Sequence, residues 1–319
     1  MRAVQITSLE GPSAVELSDL PDPTPGEGQV LIRVKAAGVS FPEVLQTRGL
    51  YQLKPDLPFV PGSEVAGEVV QAPAGSRFSA GDRVAGFCML GGFAELAVGN
   101  EDMVFPLPDG VSFEQGAAMP LNYLTAYFGL VERGGLIDGE SVLVHGAAGG
   151  VGTASIQVAN AFGAGRVIAV TSTPEKGDVA VAAGADEYVL ADGFKDAVKS
   201  AGGVDIVVDP VGGDRFTDSL RCLREQGRLL VIGFTAGQIP EVKVNRLLLN
   251  NVSVVGVGWG AFALAKPGHV AAEWDALAPH LASGALQPPI GPTFGLDRAA
   301  DALATIDERR ATGKVLLTP

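Results

Sequence analysis

The stretch "VLVHGAAGGVGTASIQVA", residues 142–159, decides the fold. Its opening is apolar and rich in β-branched residues, as in a strand buried on both faces. A Gly-rich turn follows, and then a segment of helix length. Strand, turn and helix in that order are the context a dinucleotide-binding fingerprint requires. Gly149 lets the backbone approach a pyrophosphate, and Gly152 lets the helix pack close to the strand. The helix start at Gly150 and Val151 offers free N–H groups and the positive end of the dipole to phosphates. The pattern departs from G-x-G-x-x-G: Ala147 stands where the first Gly would be, and Gly150 is an extra one.

The same rhythm continues outward. "RVIAVTS", "VDIVVDP", "GRLLVIGF" and "VSVVGVG" are further continuous apolar runs. Helix-length segments at 150–162, 174–183, 214–224 and 244–250 alternate with them. This alternation predicts a doubly wound parallel sheet. Up to about Pro120 the chain instead carries short alternating runs separated by Gly and Pro, the pattern of a strand-rich region. Beyond the alternating region come helices at 268–283 and 297–310 and a last strand, "KVLLT". No internal repeat interrupts this order.

The chain has 319 residues, enough for two cores, with 47% hydrophobic and 18% charged residues. A net charge of −13 argues against nucleic acid and anionic membrane as main partners. The start has no apolar signal-peptide core, and no apolar stretch of spanning length occurs without Gly, Pro or charge. Two scattered cysteines, Cys88 and Cys222, make no disulfide framework, so the cytoplasm is the default expectation.

Charge at the end of the second strand selects the nucleotide. A site for NAD usually places a carboxylate there, about 20 residues past the loop, to hold the ribose 2′-hydroxyl. Here the strand ends in Thr171, Ser172 and Thr173, and Lys176 follows. No carboxylate stands there to repel a 2′-phosphate, and Lys176 can reach one. NADPH is therefore expected over NADH, although Glu175 beside Lys176 weakens the positive potential.

A second stretch, "FVPGSEVAGEVV" at 59–70, puts the carboxylate of Glu64 at the head of an apolar strand. A charge there needs a partner or a task. Either Glu64 is a structural hydrogen-bond acceptor, or it handles a proton.

Several further stretches, in order along the chain, carry a resemblance: "GVSFPEVLQTRGLYQLKPDLPFVPGSEVAGEV", "MPLNYLTAYFGL", "HGAAGGVGTASIQVANAFGA", "DPVGGDRF", "GRLLVIGF" and "RRATGKVLLTP". The chain resembles the zinc-free quinone oxidoreductase branch of the medium-chain dehydrogenase/reductase superfamily. The resemblance implies an α/β protein with a GroES-like β domain, residues 1–120 with 262–319, and a Rossmann NADPH-binding domain, 121–261, with the active site in the cleft. It implies a homodimer joined by Rossmann edge strands, here "NVSVVGVG". It places Ser40, Thr125, Phe234 and Gly258 near the nicotinamide, and Ser172, Lys176 and Arg310 near the 2′-phosphate. One departure is Ala191, where some members carry a phosphate-holding Tyr.

In the zinc-dependent branch, a Cys and a His hold the catalytic metal at the positions of Ser40 and Ser63. Hydroxyls are poor zinc ligands beside thiolate or imidazole. The three histidines, His145, His269 and His280, show no ligand spacing and read as one loop histidine and two on helix surfaces. No metal is expected. Without a Lewis acid, the site suits acceptors that take hydride directly, a quinone or an activated alkene. Tyr51, on a loop after a Gly turn, is the candidate proton donor, with a rim tyrosine stacking on substrate as the alternative. The leading function is NADPH-dependent quinone reduction. An enoyl-thioester or alkenal reductase is the second reading. A non-catalytic NADPH-binding protein is the third.

Overall fold

The computed structural model describes residues 1–263 and 265–319. The chain divides into two units: Met1–Leu121 with Val270–Ala282 and Pro288–Pro319, and Asn122–His269 with Ser283–Gln287.

The first unit is built on β1 (Arg2–Ile6), β2 (Val15–Asp19), β3 (Gln29–Val39), β4 (Glu64–Gln71), β5 (Arg83–Phe87), β6 (Leu96–Asn100) and β7 (Val104–Pro106). β1 and β2 form an antiparallel pair. β3 is the spine of the main sheet. It pairs antiparallel with β4 along its length and with β6 at its start. Alternate apolar residues of these strands, among them Val30, Ile32, Val34, Val65 and Val84, meet in one buried cluster. Close pairing depends on Gly67, because a side chain there would collide with the Arg33 carbonyl.

Two short helices interrupt this strand-rich region: α1 (Phe41–Gln46), which starts as β3 ends, and α2 (Phe113–Ala118). Neither is long enough to show a helical period in the sequence, and the region around them is strand-rich, as its short alternating runs predict. In α2 the local signal is a capping box: Ser112 Oγ accepts from the Gln115 N–H while the Gln115 side chain accepts from the Ser112 N–H.

The second unit spans most of α3 (Pro120–Tyr127), then β8 (Ser141–His145), α4 (Gly150–Ala161), β9 (Arg166–Thr171), α5 (Pro174–Ala182), β10 (Glu187–Leu190), α6 (Phe194–Ser200), β11 (Val204–Asp209), α7 (Phe216–Cys222), β12 (Leu223–Val231), α8 (Asn245–Asn250), β13 (Ser253–Gly256) and α9 (Trp259–Ala263). All six strands run parallel in the order β10-β9-β8-β11-β12-β13. The first strand lies in the middle, and the order reverses beside it, between β8 and β11. Ligands of open α/β sheets bind at such a switch point, beyond the carboxyl ends of the strands. β8 is buried along its whole length, as its apolar run predicts. β13 is an edge strand and only half buried.

The chain's tail returns to the first unit. It supplies α10 (His269–Ala282) apart from its first residue, β14 (Ile290–Gly295), α11 (Ala299–Asp307) and β15 (Lys314–Thr318). β15 pairs antiparallel with the end of β3, Val315 opposite Val39, and parallel with β14. This register sets Lys314 beside the residue that follows β3, Ser40.

Candidate active site

In the second unit, the turn after β8 is a bare cradle. Gly146 adopts φ +59°, where a side chain is strained, and turns the chain out of the strand. Gly149 caps α4 with no side chain across the helix end, so the first N–H groups face outward. A Cβ on Gly150 would collide with the Asn122 amide, and one on Gly152 with the Gly146 carbonyl. The helix is fixed behind the cradle by a buried pair, Tyr123 Oη donating to Gln157 Oε1 at 2.7 Å. These features suit a pyrophosphate, which needs close backbone and free donors rather than side chains.

The other candidates in this unit follow the same sheet edge. Ser172 follows β9 and is exposed. Thr173 caps α5, its Oγ1 accepting from the Lys176 N–H. Phe234 lies just beyond β12 and is one-third exposed. Gly258 follows β13, with nothing within 4 Å of where its Cβ would stand. Because the strands are parallel, all four positions lie at the carboxyl end of the sheet, as does Val151 at the start of α4. Thr125 sits buried in α3. Asp209 ends β11, and its Oδ1 accepts from the Val211 and Gly212 N–H groups at 2.9 Å. This shapes the neighbouring "PVGG" turn.

His145 corrects the sequence reading. It is not a loop residue: it closes β8 and is 1% exposed. Its Nε2 lies 2.8 Å from Ser219 Oγ. The Ser219 hydroxyl donates to the Arg215 carbonyl, so Nε2 carries the proton and donates to Oγ. Nδ1 is buried with no partner. Burial pushes the imidazole pKa down to about 4.

Ser40, Tyr51 and Arg310 belong to the first unit. Arg310 precedes β15 and pairs with Glu308 at 2.6 Å. Ser40 belongs to a buried polar knot. Lys314 Nζ donates to Ser40 Oγ at 2.6 Å and to Glu64 Oε1. Ser40 Oγ in turn lies 3.3 Å from Glu64 Oε1. Glu64 Oε2 accepts from the Leu121 N–H at 2.7 Å. Glu43 forms the other half: its Oε2 accepts from the Ser40 N–H, and its Oε1 accepts from both the N–H and the hydroxyl of Ser63. Glu43 and Glu64 are fully buried, and Lys314 is 3% exposed. Gly38 makes room, since a Cβ there would stand 2.6 Å from Glu64 Oε1. Glu64 is therefore an acceptor held by three donors. Burial pushes the Glu43 carboxyl up, opposed by the Ser63 hydrogen bond and the Lys314 charge. Tyr51, partly buried, is held above its usual range by burial and by Glu43, so it keeps its proton at neutral pH.

The sequence reading missed Glu43 and Lys314. Glu43 had a local signal, the spacing S-x-x-E at 40–43 of a helix start. Lys314 had none beyond its place at the head of the last strand.

A bare nucleotide cradle at the carboxyl edge of a parallel sheet, joined to a unit built on an antiparallel β sheet, defines a dinucleotide-dependent oxidoreductase of the medium-chain type. The profile "Alcohol dehydrogenase GroES-like domain" matches residues 26–109, and "Zinc-binding dehydrogenase" matches 150–281. Quinone oxidoreductase-like protein 2 of Mus musculus is 36% identical over 99% of this chain and 92% of its own length. Human quinone oxidoreductase is 36% identical over 99% and 97%. The quinone oxidoreductase of Thermus thermophilus, solved also with NADPH, superposes with a TM-score of 0.87 at 37% identity over the whole of both chains. That of Escherichia coli, complexed with NADPH, gives 0.91 at 28% identity, again over both whole chains. The chain belongs to the zinc-free quinone oxidoreductase branch of the medium-chain dehydrogenase/reductase superfamily.

The second profile's name implies zinc, and the donor set does not fit it. Ser40 and Ser63 offer hydroxyls in place of soft ligands, and both are already engaged. Glu64 is neutralised by an ammonium that a metal ion would have to displace.

Proposed function

We propose that this protein is a metal-independent, NADPH-dependent reductase of quinones, working as a homodimer in the cytoplasm. The observation that carries the reading is the uncapped amino terminus of α4 behind its glycine cradle. Gly149, Gly150 and Val151 present backbone to the pyrophosphate. Ser172 and Lys176 hold the 2′-phosphate, with Arg310 adding charge, and Ser40, Thr125, Phe234 and Gly258 line the nicotinamide. In this reading residues 121–261 form the cofactor domain, and 1–120 with 262–319 the catalytic domain.

Bound NADPH supplies one hydride, so a quinone reduced by it needs one proton to become the hydroquinone. Tyr51 keeps its proton at neutral pH and can donate it. Water can serve as well, because hydroquinone oxygens protonate readily. The residues around the nicotinamide orient the acceptor and exclude water. No residue of the Ser40–Glu64–Lys314 knot is asked to polarise the acceptor as a metal would.

The dimer is supported by β13, an edge strand with one ladder partner, and by exposed apolar side chains in the same unit. Ile239 and Leu248 are 77% and 76% exposed, and Val244 and Leu249 are exposed to a similar degree. Unpaired edges and apolar clusters of this kind are usually covered. Light scattering on Leu248→Asp/Leu249→Asp tests this, with a shift to monomer expected. The cytoplasmic placement is supported by two free cysteines, Cys88 and Cys222.

The deciding experiment is an acceptor screen. Purified protein is mixed with NADPH and with quinones, enoyl thioesters or alkenals, and the loss of NADPH absorbance is followed. Turnover with quinones is expected. Faster reduction of a double bond would replace this reading by an enoyl or alkenal reductase. Tight NADPH binding with no acceptor turned over would leave a non-catalytic binding protein.

A further inference from the structure

A cavity of about 340 Å³ in the second unit is lined by Lys199, Leu220, Arg221, Leu223, Arg246 and Asn250. Three cations thus reach one space from three elements. Lys199 lies in the last turn of α6, Arg221 in the last turn of α7, and Arg246 in α8. Leu223 is the first residue of β12. The cavity therefore opens at the amino end of the parallel sheet, opposite the edge that carries the glycine cradle. It is a different place from the cofactor site.

Gathering three like charges costs energy unless something answers them. Arg221 pairs with Asp218 at 2.9 Å. Among the described residues, no ion pair is made by Lys199 or Arg246. Arg246 goes further: its Nη1 is shielded from solvent and has no hydrogen-bond partner. A buried guanidinium nitrogen without an acceptor forfeits its hydration for nothing in return, and such a group calls for an absent water or ion. The Asn250 amide already donates to the Arg246 carbonyl and holds the turn in place. The chain as a whole carries −13, so a net-positive cavity is a local exception to its charge.

We propose that this cavity is a second anion site, one for a small phosphate-bearing ligand. Three lining cations, one of them paired with Asp218, leave the cavity a net positive charge that a phosphoryl dianion balances. A guanidinium fork suits two phosphate oxygens at once. The volume exceeds that of a lone phosphate and falls at the lower end of small-ligand pockets. The apolar floor of Leu220 and Leu223 leaves room for a carbon skeleton or a second phosphate.

The test uses the full protein saturated with NADPH, so that the cofactor's phosphate contacts are occupied. Inorganic pyrophosphate is titrated by calorimetry at constant ionic strength, and ribose 5-phosphate is titrated in parallel. One site per chain is expected, together with a rise in melting temperature as binding saturates. The tighter of the two ligands distinguishes a free inorganic anion from a sugar phosphate. Arg246→Met keeps the length of the side chain and removes its charge. It should weaken binding at least tenfold and leave the NADPH KM unchanged. Without anion, Arg246→Met should melt no lower than the parent, since it deletes an unanswered buried donor; a purely structural arginine would lower it. Lys199→Gln should weaken binding as well, by a smaller factor. The proposal is overturned if neither anion binds the NADPH-saturated protein at millimolar concentration, or if binding persists unchanged in both variants. It is equally overturned if Arg246→Met dissociates the oligomer with binding intact, because the cations would then serve an interface.

Discussion

Lys314 Nζ lies 2.6 Å from Ser40 Oγ, although 274 residues separate them in the chain. The pairing of β15 with the end of β3 creates this contact, and Glu64 from β4 closes it into a triangle. A buried ammonium thus sits against the hydroxyl of Ser40 and the carboxylate of Glu64. The charge of Glu64 is answered by the protein itself.

The first prediction concerns that pair. Breaking a buried ion pair by removing one partner costs about 3–5 kcal/mol, because the remaining charge is stranded. Lys314→Met should lower stability by that order, read from urea midpoints. Lys314→Met combined with Glu64→Gln should recover much of the loss. A single-variant loss below about 1 kcal/mol would mean that the pair does not hold the knot together.

Metal content gives a second check on the same site. Elemental analysis should find no stoichiometric zinc, and prolonged chelation should leave quinone turnover intact. Stoichiometric zinc lost together with activity would overturn the metal-free reading.

Lys176 tests the cofactor assignment. A charge-assisted contact contributes about 1.5–3 kcal/mol, or roughly tenfold to a hundredfold in affinity. Lys176→Ala should raise the NADPH KM by such a factor and barely change that for NADH. Equal losses for both would place Lys176 away from the 2′ position.

His145 makes stability depend on pH. Its native pKa is depressed to about 4 from 6.5. Above pH 6.5 the imidazole is neutral in both states and contributes no slope. Between 6.5 and 4 the unfolded chain binds the proton and the native state does not, so stability falls as pH falls, by an amount on the order of 3 kcal/mol. His145→Gln keeps a donor for Ser219 and cannot titrate. Its urea midpoint should therefore fall less steeply than the parent's over that window, and parallel slopes would refute the assignment.

What the sequence revealed, and what it hid, follows from the range of the interactions. The turn after β8 was legible because strand, glycines and helix are contiguous and each has its own local signature. The placement of Ser172 and Lys176 just past the carboxyl end of β9 was legible because they follow that strand closely in the chain. The knot was hidden because Lys314 meets Glu64 across 250 residues, and no local pattern marks a lysine at the head of a strand as a buried one. His145 was misread for the same reason: its partner Ser219 comes 74 residues later. Helices α1 and α2 are six residues each, too short for a hydrophobic period, and tertiary packing rather than propensity sustains them.

Tyr51 separates the two enzymatic readings. Reducing an enoyl thioester leaves a carbanion or enolate whose carbon needs a positioned proton, and general-acid help of that kind is typically worth about 10²–10⁴-fold. Quinone reduction leaves oxygens that water protonates. Tyr51→Phe keeps the ring and deletes only the hydroxyl that burial and Glu43 hold in its protonated form. Quinone turnover should therefore fall by less than about tenfold, well short of the general-acid range. The comparison is made at saturating NADPH, so that weaker cofactor binding is not mistaken for lost chemistry. A fall by the full general-acid factor with quinones would make Tyr51 the obligatory proton donor and refute the water route. If the parent protein reduces a double-bond substrate well and the variant does not, the enoyl reductase reading takes the place of the quinone one.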